Sequence, residues 1–290
     1  MQTFSECIPC FERQIKKLAA MVSSQDLDLQ KRVQTQCLDH LNTADTNYPP
    51  PELAARIYAK AAEISGQNDF FAQHKQAANT QVLGLLPRLE ERIQASSDSL
   101  LTALRFSLIA NYIDVGVDGE FDWETALDQE KAQEEMGGYP MFRQRLDTGK
   151  SQVMILGDNA GEIGMDTLLV KQLQNLGAEV TYVVRGAPIL NDATLDDAHF
   201  VGMDRLCRVI SSGVDSPGTI LSRCHPDFLQ ELYAAPIVIS KGQGNFESLH
   251  GRLPGIFFAL KVKCPVVARL TGFPVRTTVF DLLAKNISEH

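Results

Sequence analysis

Five short apolar runs, each separated from the next by helical or loop sequence, constrain this chain more than any other feature. They fall at 153–156, 180–184, 208–210, 237–240 and 256–261. The second is rich in β-branched residues, and between the first two lies a helical stretch to Leu176 with Gly177 at the expected cap. Short apolar strands alternating with helices imply right-handed βαβ units and a mainly parallel sheet covered on both faces. A further strand is expected at 266–270.

The first part of the chain has a different period. From Phe4 to about Glu135 the apolar residues recur at helical spacing, as in Ile15, Leu18, Ala19 and Val22, or Leu53, Ile57, Ala61 and Ile64, or Leu101, Leu104, Leu108 and Ile109. Pro49, Pro50 and Pro51 open one helix and Gly66 closes it. No alternating strand is expected there. The stretch Met136-Gly137-Gly138-Tyr139-Pro140 breaks the pattern, and the boundary is placed near Thr148-Gly149-Lys150. The expected fold class is α/β: a multi-helical domain over 1–147 and a Rossmann-like, doubly wound domain over 148–290.

In such a sheet ligands bind beyond the carboxyl ends of the strands. The loops there read Gly157-Asp158-Asn159-Ala160-Gly161-Glu162-Ile163-Gly164, then Arg185 to Thr194 with Asn191-Asp192, then Ser211-Ser212-Gly213, then Lys241-Gly242-Gln243-Gly244-Asn245-Phe246-Glu247. A glycine-rich turn before a helix offers free backbone N–H groups to an anion. Asp158 and Glu162 put negative charge at the same place, and a divalent cation resolves that conflict. Asp158, Asn159 and Asp192 are hard oxygen donors that suit magnesium, manganese, cobalt or nickel better than a thiolate-loving zinc site. Lys241 is placed to neutralise a phosphoryl group. Singly, Asp158 reads as a helix N-cap, Asp192 as a turn residue and Lys241 as a solvated lysine; together they read as a site.

Other classes are disfavoured. The spacing of Gly157, Gly161 and Gly164 is not that of a dinucleotide fingerprint, Arg185 stands where an acid for ribose hydroxyls belongs, and no nucleotide phosphate loop occurs. A formal charge of −9 argues against nucleic acid or an anionic membrane as partner. No 20-residue apolar stretch or basic leader is present, and six scattered cysteines fit a reducing cytoplasm. Cys7 and Cys10 share a helix face and read as packing thiols, as part of a metal set with Cys37 or with Cys224 and His225, or as a redox pair. In the helical part, Lys75 with Asn79 and Asn111 with Asp114 are polar pairs that can face the cleft.

Nearly the whole chain resembles the domain-of-unknown-function eighty-nine family, also described as damage-control phosphatases. The stretches that carry the resemblance are Cys-Ile-Pro-Cys-Phe at 7–11, Gly-Asp-Asn-Ala-Gly-Glu-Ile at 157–163, Asn-Asp-Ala-Thr at 191–194, Ser-Ser-Gly at 211–213 and Lys-Gly-Gln-Gly-Asn-Phe-Glu at 241–247. The Cys-x-x-Cys is similar to the largely prokaryotic branch. Asn68-Asp69-Phe70-Phe71 differs from that branch's Asp-Pro-Tyr-like string, and Ala110 stands before Asn111 where glycine is expected. The resemblance implies a metal-dependent phosphatase of sugar phosphates or damaged phosphometabolites. It implies Asp158, Asn159 and Asp192 as metal ligands, and Lys241 with the loop Gly242–Gly244–Asn245 as phosphate-binding. Glu162, Ser212 and Asn111 are further candidates for the substrate, and Asp158 and Lys241 for catalysis. The rivals are an S-adenosylmethionine-dependent carboxyl methyltransferase and a non-catalytic metal or phosphometabolite binder. Substrate, metal, oligomeric state and the attacking group are left open.

Overall fold

A computed structural model describes residues 1–23, 25–109, 134–146 and 151–283. The helical part contains α1 (Ile8–Val22), α2 (Leu27–Asn42), α3 (Pro50–Ser65), α4 (Ala72–Gln94) and α5 (Ser99–Ile109). Then come β1 (Glu134–Glu135), α6 (Tyr139–Leu146), β2 (Gln152–Leu156), α7 (Glu162–Asn175), β3 (Glu179–Val184), α8 (Leu195–Val201) and β4 (Arg208–Ser211). The chain continues through α9 (Pro226–Ala234), β5 (Ile237–Lys241), α10 (Gln243–Leu249), β6 (Ile256–Lys261), α11 (Pro265–Thr271) and β7 (Thr278–Asp281).

The strands form one sheet in the order β1-β7-β6-β5-β2-β3-β4. All neighbours are parallel except β6 and β7. From β2 the chain winds outward through β3 and β4, then returns to place β5 on β2's other side. The winding reverses between β2 and β5, and a crevice opens at such a point.

Side-chain alternation assigns the two faces. Val153 and Ile155 of β2 point to one face, packed with α5, α6, α7 and α8. Met154 and Leu156 point to the other, packed with α9, α10 and α11. Helices α1 to α3 bury a core of their own around Phe11, Ile15, Leu53 and Ile57, and Ile189 from the loop after β3 enters it. Helix α4 lies with α5 against α7, where Val82, Leu89 and Phe106 meet Met165 and Leu168.

Two expectations need correction. The run at 266–270 is helix α11, not a strand. Pro265 stands at its start and Gly272, at φ 78°, ends it; these signals outweigh two valines. Strand β7 was not expected, nor was β1, whose two residues pair with Thr278 and Val279 of β7. Phe142 of α6 stacks edge-on against Phe257 and Phe280 at the sheet edge. The boundary at 148–150, and Asn111 and Asp114, lie outside the described residues.

Candidate active site

The reversal point places the loop after β2 against the start of α10. Gly242 has φ +80°, and a Cβ there would stand 2.0 Å from Asp158 Oδ2. Only glycine lets these two loops approach so closely. The loops after β2 and β3 are tied along their backbones. Ala160 N–H donates to Asn191 O (2.8 Å), Ala193 N–H donates to Asp158 O (2.7 Å), and Asn159 bridges Asp192. Asp158, Asn159 and Asp192 therefore come together as the sequence implied.

Arg185, the last residue before the second loop, ties the site from below. Its guanidinium is 3% exposed and donates to Asp192 Oδ2 (2.6 Å), Asn245 Oδ1 (3.0 Å), Asp158 Oδ1 (3.4 Å) and Thr219 Oγ1 (3.4 Å). Burial raises the Asp158 carboxyl to about 7, with the Asp192 charge acting the same way and Arg185 opposing. Burial also raises Asp192, against the pull of Arg185.

Lys241 is fully buried on the helical side of the crevice. Its ammonium meets Glu162 Oε1 (2.6 Å), Asp166 Oδ1 (2.7 Å) and Ser107 Oγ (2.6 Å). Asp166 also accepts from Ser107 (2.5 Å) and from the Tyr182 hydroxyl (2.7 Å). Burial works against the Lys241 charge, but Asp166 and Glu162 outweigh it and its pKa moves up. Burial raises Glu162 to about 7 despite Lys241, helped by Asp158 and Asp166.

Other candidates have narrower roles. The Asn245 amide donates to Lys241 O (2.8 Å) and Gly157 O (3.2 Å) and accepts from Thr219 and Arg185, so it fastens three loops. Gly244 is required by the approach of Pro217, whose carbonyl oxygen would meet a Cβ at 1.7 Å. The Ser212 hydroxyl donates to Val184 O (3.0 Å). The loop after β2 was expected to offer free N–H groups to an anion, but those of Ala160 and Gly161 are taken by Asn191 O and by Asn79 Oδ1 (2.6 Å).

Sequence reasoning missed Asp166 and the positive role of Arg185. Asp166 was visible as the residue four after Glu162, on the same helix face. Arg185 directly follows β3 and Lys241 ends β5, so the same strand-end logic finds both. Thr219 belongs to the stretch Pro217-Gly218-Thr219 beyond the strand at 208–210, and it meets Arg185 and Asn245 there.

The donor chemistry fits a hard divalent cation. Asp158, Asp192, Glu162 and Asp166 share Arg185 and Lys241 across one buried network. With all four acids ionised, that network carries a formal excess of two negative charges. Among the described residues no three His, Cys, Asp or Glu side chains stand ready as a metal set, so the Asp158–Asp192 pair with the Asn159 amide is what the site offers. Elsewhere, Cys37 Sγ donates to Ile57 O, Cys224 Sγ donates to Ile220 O, Cys10 is exposed, and all six cysteines are free thiols. No helix among the described residues is long and apolar enough to cross a membrane.

Comparison with known proteins agrees with this fold. Residues 3–279 match the family model described as the damage-control phosphatase ARMT1-like domain. A damage-control phosphatase of Archaeoglobus fulgidus is 35% identical over 263 residues, 87% of this chain and 89% of that protein. One from Pyrococcus horikoshii is 27% identical over 94% of this chain and 96% of its own. The crystal structure of a DUF89 family protein from Pyrococcus horikoshii superposes with a TM-score of 0.88 at 26% identity, covering 98% of this chain and 99% of the other. A match over so much of its length shows that this chain belongs to the ARMT1-like damage-control phosphatase family.

Proposed function

We propose that the protein hydrolyses phosphomonoesters of small metabolites, sugar phosphates or damaged phosphometabolites, with a divalent metal held by Asp158, Asn159 and Asp192. The observation that carries this reading is the excess of buried carboxylate at the reversal point of the sheet. Such an arrangement is costly unless a cation completes it. The printed names of the Archaeoglobus and Pyrococcus relatives support the reaction class. When bound, magnesium, manganese, cobalt or nickel supplies Lewis-acid polarisation of a phosphoryl oxygen and a more acidic water.

The chain's own groups do the rest. Arg185 holds both metal-facing carboxylates in one orientation and offsets part of their charge. Lys241 brings a fixed positive charge to the start of the 241–247 loop, where phosphate is to bind, and Asn245 keeps that loop in register with Gly157. Glu162, beside Lys241, is buried enough to exchange a proton near neutrality. The ion pair of Arg185 with Asp192 occupies the strand end where a methyltransferase needs an acid for its cofactor's ribose, which favours the phosphatase. Six free thiols go with a cytoplasmic location.

Phosphate release from an aryl phosphate and a panel of sugar phosphates tests the proposal. The expected result is no turnover in metal-stripped protein, recovery with manganese or magnesium, and loss of at least about 100-fold in Asp158→Ala. Folded protein that takes up metal but releases no phosphate from any substrate would make it a binding module instead.

A further inference from the structure

A buried polar brace runs from α4 into both loops that carry the candidate metal ligands. The Asn79 side chain is 1% exposed. Its Oδ1 accepts the Gly161 N–H at 2.6 Å, and its Nδ2 donates to Asp197 Oδ1 at 2.9 Å. Asp197 Oδ2 in turn accepts from the Thr194 N–H (2.9 Å), the Thr194 hydroxyl (2.9 Å) and Lys75 Nζ (3.2 Å). Lys75 also pairs with Asp69 Oδ2 at 3.1 Å. Gly161 lies two residues after Asn159, and Thr194 two after Asp192. One amide therefore holds the loop after β2 directly and the loop after β3 through Asp197.

The fit leaves little freedom. A Cβ on Gly161 would stand 3.1 Å from Ala78 Cβ, so α4 lies close against the turn that Asn79 grips. The orientation of the amide is fixed by its partners: the oxygen must face an N–H and the nitrogen must face a carboxylate. Glycine-rich backbone before a helix is otherwise free to shift, and a shift of Gly161 moves Asp158 and Asn159 with it.

We propose that Asn79, backed by Asp197, is a positioning residue for the reaction: it sets Asp158 and Asn159 against Asp192 and thereby fixes the affinity of the metal site. This inference rests on the metal reading above. Groups behind metal ligands commonly change affinity by about 10–100-fold when removed.

The test uses manganese alone, titrated calorimetrically into metal-stripped protein, with phosphate release and Tm measured in parallel. Asn79→Asp keeps the acceptor for Gly161 but sets one carboxylate against another, and is expected to weaken manganese binding by about 10-fold or more. The double exchange Asn79→Asp with Asp197→Asn restores every donor to an acceptor. The amide it introduces on α8 can donate where Asp197 Oδ1 accepted, and its oxygen can still accept from Thr194 and Lys75. The exchange is expected to recover manganese affinity to within about 3-fold of the natural protein. Asp197→Asn alone replaces Asn79→Asp in the comparison should the latter not fold. A lowered Tm with unchanged manganese affinity in the single variant, or an exchange no better than either single change, overturns the proposal while leaving the metal site standing. Natural protein that binds no manganese overturns both.

Discussion

Asp158 and Asp192 lie in a place where water no longer stabilises a carboxylate, and both are pushed towards the neutral form. Arg185 is what keeps the pair tolerable without metal. Replacing it by methionine leaves two buried acids without their shared cation. Arg185→Met is expected to cost about 3–5 kcal/mol of stability in metal-free protein. Urea unfolding with and without manganese checks this, and manganese is expected to recover part of the loss. Gly242→Ala tests the contact between loops: its methyl group has no room beside Asp158, and a positive φ adds strain. The expected outcome is a loss of about 2 kcal/mol or more and a marked fall in metal affinity. At this scale the sequence was readable where polar residues gather at or beyond the carboxyl end of a strand, which is where Asp158, Asp192 and Lys241 stand. It was not readable where a side chain has two plausible lives. Asn245, read as a phosphate ligand, spends its amide on loop backbone, and Ser212 turns back to Val184.

Among elements, the parallel core strands β2, β3, β5 and β6 were legible because burial on both faces makes each a nearly unbroken apolar run. Of the two edges, β4 was expected although it is only half-buried, and the other was not. Strand β7 follows the turn at 274–277 and pairs antiparallel with β6, and β1 has only two residues; neither has the period or the length that marks a strand. Helix α11 shows the opposite failure, in which Val266 and Val267 imitate a strand although Pro265 and Gly272 frame a helix. The packing of α4 on α7 depends on Gly164, where a Cβ would meet Val82 Cγ1 at 2.7 Å. Gly164→Ala is expected to cost about 1–3 kcal/mol through overpacking, although alanine is the better helix former. Val82→Ala in the same chain should return part of that loss, and a double-mutant cycle from thermal unfolding reads the coupling directly.

For the whole molecule, the crevice joins a helical layer to the reversal point of a sheet, and its charge balance shapes stability. Burial raises both Glu162 and Glu247 to about 7. Their folded pKa values lie above those of an unfolded chain, near 4.3, so the folded state holds extra protons between the two. Their contribution is fully present below about pH 4 and is lost as pH rises through about 7. Metal-free protein is therefore expected to lose Tm between about pH 5 and pH 7, and Glu247→Gln to flatten that slope. A Tm that rises over this interval in metal-free protein, or a slope unchanged by Glu247→Gln, contradicts the assignment. If a divalent cation completes the acid-rich crevice, anomalous diffraction from crystals soaked in manganese locates it. A peak is expected between Asp158, Asn159 and Asp192. A strong peak at Cys7 and Cys10, with none beside Asp158, would contradict the metal reading.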